Sequence, residues 1–154
     1  GSDAPWAWKS LLRGHQPVLY DFGIIDVVHP LDPSFGVPSY ESYEPARLAM
    51  GDTRRYAERV QLSAMLPRGD LSSTGYALAN PGHEYLVLQP SESAEPFTVE
   101  LAAGTYAVEW YNVNSRDTVE VEPITVESAG AISFTAPFEA AGSAVIYLKE
   151  GQDA

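Results

Sequence analysis

The sequence predicts an α+β protein: helices and one short strand up to about residue 75, then an all-β antiparallel sandwich of about seven strands over 76–154. Three observations carry this. The apolar period changes from about 3.6 residues to 2 near residue 75. Clusters of Gly, Pro, Asn and Ser punctuate the second part at the spacing of short strands. Charge breaks at the same place: residues 1–75 balance to −2, whereas residues 76–154 carry −10 of the net −12. Two units are therefore expected, 1–75 and 76–154.

The elements follow in order. Residues 5–14 (PWAWKSLLRG) fit a helix with Pro in its first turn, Trp8, Leu11 and Leu12 on one face, and Gly14 as the stop. Residues 17–22 (PVLYDF) read as a strand that is apolar on both faces. From Gly23 to Tyr43 three prolines and two glycines leave a long irregular stretch. A short helix is expected from Pro45 to Met50, ended by Gly51, and Asp52 is placed as the N-cap of a third helix, DTRRYAERVQLSAML. On that helix Tyr56, Val60 and Ala64 form the apolar stripe, with Arg55 and Arg59 on the wetter side. Strands are expected at 76–79, 84–89, 97–101, 105–112, 117–121, 131–135 and 143–149. A hairpin joining 97–101 to 105–112 through a four-residue loop puts Phe97, Val99, Tyr106, Val108 and Trp110 on one face.

Composition excludes several classes. Apolar residues at 45% and charged residues at 19% describe a globular chain. Without cysteine there is neither a disulfide framework nor a thiolate metal site. A half this acidic repels polyanions, so no nucleic-acid partner is expected, and no apolar run is long enough for a membrane span. His15, His29 and His83 lack metal-ligand spacing, and no cofactor is expected. Ser72, Ser73 and Thr74 lack a nucleophile-elbow context. The Arg68-Gly69-Asp70 tripeptide reads as a connector after a helix stop, and the acidic positions around Glu92, Glu95, Glu120, Glu122 and Glu127 as a solvated sheet face.

Several longer runs point to a family. ARLAMGDTRRYAERVQLSAMLPRGDLSSTGYALANPGHEYLVLQPS, then FTVELAAGTYAVEWYNVNSRDTV, then FTAPFEAAGSAVIYLK, resemble the C-terminal region of glycoside-hydrolase-like proteins. Those proteins carry a (β/α)8 barrel followed by a β-sandwich labelled a collagen-binding domain. Upstream, WKSLLRGHQPVLYD resembles the last helix and strand of such a barrel. The turn Asn112-Val113-Asn114-Ser115-Arg116 departs from the family pattern by lacking Pro and Gly.

The resemblance implies that residues 1–75 are a barrel-end βα segment and 76–154 an accessory sandwich, with the catalytic carboxylates of the parent upstream of residue 1. The expected role is a non-catalytic portion that braces the barrel and contacts carbohydrate. A stand-alone carbohydrate- or collagen-binding module, or part of an active glycosidase, are the alternatives. The expected partners are the missing barrel, a polysaccharide, or a second copy of the chain meeting at the barrel remnant; the parent is expected to be exported.

Site candidates are few. Asp21 ends the proposed barrel strand and could line the parent's sugar pocket, with Asp26 a weak second carboxylate. Tyr111, beside Asn112, Asn114 and Arg116, could give a sugar-stacking platform or, alternatively, pack between the two units. Trp110 is assigned to the core, and Trp6 and Trp8 to packing. No catalytic or metal-binding residue is assigned to this chain.

Overall fold

The computed structural model describes residues 3–19, 43–139 and 141–151. Two helices, α1 (Ala4–Leu12) and α2 (Glu44–Arg59), precede eight strands: β1 (Leu66–Pro67), β2 (Ala77–Asn80), β3 (Glu84–Gln89), β4 (Phe97–Leu101), β5 (Gly104–Asn112), β6 (Thr118–Val126), β7 (Gly130–Phe134) and β8 (Ala144–Glu150). All pairings are antiparallel. Six strands form one sheet in the order β1-β2-β3-β8-β5-β6, and β4 and β7 form a second. The expected α+β class with an antiparallel sandwich-like part is what the chain adopts.

Helix α1 starts where expected. Asp3 caps it by accepting from the Trp6 amide at 2.9 Å, and Pro5 lies in its first turn. The chain leaves it at Gly14, whose φ of +76° favours a residue without a side chain. Residues 15–19 have no regular structure, so the expected strand at 17–22 does not start there; its remainder and the stretch 23–42 lie outside the described residues.

The second and third expected helices are one. α2 runs through Gly51 and Asp52 without a break. Gly51 costs this exposed turn about 1 kcal/mol against alanine, too little to end a helix that packing supports. Asp52 is not a cap but a buried side chain facing the sheet.

The expected 97–112 hairpin is also corrected. β4 pairs with β7, whereas β5 pairs with β6 and β8, so the two runs lie in different sheets. Phe97, Val99, Tyr106, Val108 and Trp110 nevertheless share one core, because they face each other across the gap between sheets. Trp110 lies there, edge-on to Phe97 at 6.0 Å. Alternation along a strand fixes which face a residue occupies; it does not say which strand lies alongside.

The result is three layers. Inward-facing Tyr85, Val87, Ile146 and Leu148 pack against the two-stranded sheet. Leu86, Leu88, Tyr111, Val145 and Tyr147 point the other way and meet Trp8, Leu12, Ala49 and Tyr56 of the helices. Strand β3 is buried on both faces along its whole length, as its unbroken YLVL run requires.

Candidate functional site

The helix layer covers only part of the outer sheet face, and polar chemistry gathers along its margin. Asp52, Tyr56 and Arg59 of α2 are spaced four and three apart, so they share one side of the helix. That side lies on β5, where Glu109 and Tyr111 alternate outward.

Two carboxylates anchor it. Asp52, 2% exposed, accepts from the Tyr111 hydroxyl at 2.6 Å and from Arg116 Nε and Nη2 at 2.8 and 3.0 Å. Arg55 adds a longer ion pair at 3.4 Å. Glu109 accepts from the Tyr56 hydroxyl at 2.5 Å and binds Arg59 through both guanidinium nitrogens at 2.8 and 2.9 Å. A third carboxylate, Glu84, takes the Tyr147 hydroxyl at 2.7 Å and the Gln61 amide at 2.9 Å. Trp8, Tyr56 and Tyr111 form an aromatic cluster beneath, with centroids 5.3–5.6 Å apart.

The electrostatics follow from these partners. Burial alone would raise the Asp52 carboxyl, but hydrogen bonds from Arg116 and Tyr111 and the charges of Arg116 and Arg55 outweigh it and hold it below its ordinary value. Glu109 is likewise held down by Arg59 and Tyr56 against the effect of burial. Burial first, then hydrogen bonding to a carboxylate, raises Tyr56, Tyr111 and Tyr147. A general acid for glycoside cleavage needs a carboxyl held protonated near neutral pH. Asp52 and Glu109 are tuned the opposite way.

This tuning has a pH consequence. A carboxylate depressed by folding contributes stability above its unfolded value, and that contribution fades as pH falls through the folded one. With ordinary values of 3.8 and 4.5 for the two groups, folding stability should be flat from pH 8 to about 5 and fall progressively below. Urea unfolding from pH 7 to 3 should show this slope, and Glu109→Gln should flatten it. An unchanged slope would mean that other carboxyls dominate the acid limb.

The residues singled out in the sequence fall in different places. Asp21 and Asp26 lie outside the described residues. Tyr111 is 1% exposed, so its ring packs on Trp8 and Tyr56 and presents no face to solvent. Asn112 is buried and shapes the following turn, its Oδ1 accepting from the amides of Asn114 and Ser115. Gly142 closes over it: a Cβ there would stand 2.5 Å from that same oxygen. Asn114 and Arg116 line a cavity of about 230 Å³ with Ala4, Glu44 and Leu48. Trp6 is half-buried and Trp8 fully buried in the helix layer. Arg68 and Asp70 pair with each other at 2.7–2.9 Å. Among the described residues no cluster of three or more His, Asp or Glu could hold a metal.

Beyond the helix margin the outer sheet face is open. One cavity of about 720 Å³ spans Asn80, His83, Glu84, Lys149 and Glu150 beside the end of α2. A second of about 360 Å³ continues over Ala107, Glu109 and Glu120, and Arg59 and Lys149 border both.

The sequence matches no family model and no curated protein. Among solved structures, the fold is similar to that of a protein described as a glycoside hydrolase, with a TM-score of 0.64 at 12% identity over 86% of this chain and 32% of that one. It is similar also to a glycoside hydrolase family 5 from Bacteroides vulgatus, with a TM-score of 0.56 at 12% identity over 72% of this chain and 26% of that one. At this identity the likeness is one of fold. The chain spans about a third of the first protein and a quarter of the second.

Proposed function

We propose that this chain is a non-catalytic bracing portion of a glycoside-hydrolase-related protein. The observation that carries the reading is the fate of the carboxylates: Asp52, Glu84 and Glu109 are each engaged by a tyrosine hydroxyl and at least one further donor. Such groups tie a helix layer to a sheet; they do not stand ready on either side of a glycosidic bond. The partial coverage of the longer glycoside hydrolases is in keeping with an accessory role. So is the placement of exposed apolar side chains. Four of the six large ones among the described residues, Val18, Leu48, Leu62 and Leu66, fall in residues 1–75. A covering layer, the parent's barrel or a second copy, would bury them. We read residues 1–75 as the part that meets that layer and 76–154 as the accessory sandwich.

The test is enzymatic and genomic. Incubated with aryl glycosides and with cellulose, xylan and mannan, the 154-residue chain should release no more reducing sugar than buffer. The gene upstream of residue 1 should encode a (β/α)8 barrel with two strand-end carboxylates. Turnover by this chain alone would overturn the reading.

A further inference from the structure

We propose that the open outer face of the six-stranded sheet, beside the end of α2, is a binding groove for a neutral oligosaccharide. The two adjoining cavities, about 720 and 360 Å³, fall in the range of ligand sites and meet at Arg59 and Lys149.

Lys149 is the unusual member. It lies directly opposite Glu84 in the β3–β8 register, where a cross-strand ion pair is the ordinary outcome. Glu84 instead turns both oxygens to the Tyr147 hydroxyl and the Gln61 amide. Among the described residues the exposed Lys149 side chain has no hydrogen bond, ion pair or ring contact. An exposed ammonium without a protein partner at the edge of a cavity is a donor that a bound ligand can use.

The lining selects the ligand chemistry. The lining mixes cations (Arg59, Lys149), the Asn80 amide and the carboxylates of Glu84 and Glu150, and His83 reaches Glu150 at 2.9 Å. A polyanion would meet four carboxylates, Glu84, Glu109, Glu120 and Glu150, against the two cations Arg59 and Lys149, of which Arg59 is already bound to Glu109, and so be disfavoured. An apolar ligand would strip water from those groups without replacing its hydrogen bonds. A sugar hydroxyl both donates and accepts, so a row of them can satisfy donor and acceptor side chains in turn. The position is separate from Tyr111, farther along β5, and from Arg116 in the turn that follows it, both of which bond to Asp52 of the helix layer. The glycoside-hydrolase reading enters only in the choice of glycans to try.

The experiment is an NMR titration of the 15N-labelled chain with cellohexaose, xylohexaose and mannohexaose, and with tetragalacturonate as the acidic comparison. At least one neutral hexasaccharide should give saturable shifts at the amides of Asn80, His83, Lys149 and Glu150, with a Kd on the order of 1 mM or tighter. Lys149→Ala and His83→Ala should each weaken it by about tenfold. Glu100→Ala, on the other sheet, should change nothing. Absence of saturable shifts, shifts confined elsewhere, binding of tetragalacturonate alone, or a Lys149→Ala variant that binds normally would each overturn the proposal. Chromatography of the titrated samples separates the two readings: shortened oligosaccharides would refute the non-catalytic role while leaving the groove intact.

Discussion

Replacing Asp52 by alanine is expected to lower folding stability by about 3 kcal/mol. The carboxylate is buried, and its two main partners differ: the Arg116 side chain is 44% exposed and can recover water when the pair is broken, which keeps the loss at the lower end for buried ion pairs. Tyr111 cannot recover in the same way. Its hydroxyl would stay under α2 without its acceptor, and that orphaned donor carries much of the cost. Urea unfolding at pH 7 followed by near-ultraviolet circular dichroism measures the effect at the aromatic cluster itself. A loss under about 1 kcal/mol would mean that α2 is held by its apolar contacts alone.

The Trp8→Ala variant should lose about 4 kcal/mol, for a different reason. Trp8 is fully buried, its ring 5.3 Å from Tyr56 and 5.5 Å from Tyr111, and it fastens α1 to both α2 and the sheet. Truncation leaves a cavity at the meeting point of three elements, none of which can close it without moving off the others. For a chain of this length the midpoint of thermal unfolding should fall by roughly 10 °C. Trp8→Phe should cost far less than half as much, because the indole Nε1 has no hydrogen-bond partner among the described residues and its removal deletes a buried, unsatisfied donor. Equal losses for the two variants would show that this nitrogen has a partner after all.

Much of the fold was legible because burial imposes periods. The run Glu84–Gln89 was expected as a strand, and Phe97, Val99, Tyr106, Val108 and Trp110 were placed on a common core face. Strand partners were not legible: a pair of alternating runs fits a hairpin and a face-to-face sandwich equally well. Helix α2 was split at Gly51-Asp52 because both residues are locally poor in a helix, and local preference yields to packing. The same error hid the polar margin. With Asp52 assigned to a cap, Arg59 looked like a solvated cation, and Tyr111 stayed open between a sugar platform and a ring packed between the two units. The signal was present in the spacing of Asp52, Tyr56 and Arg59, which can face a sheet together only if the helix is continuous through all three. Lys149 gave no signal, since its lack of a partner depends on where Glu84 turns.

Strand β8 sits between β3 and β5, yet it is the last of the eight to be synthesised. Until residues 144–150 leave the ribosome, β3 and β5 have no shared neighbour, and the two parts of the large sheet wait with their central edges open. Assembly of the large sheet must therefore wait for this segment, be slow in proportion to the long loops it closes, and depend during that interval on whatever shields nascent apolar edges from other chains.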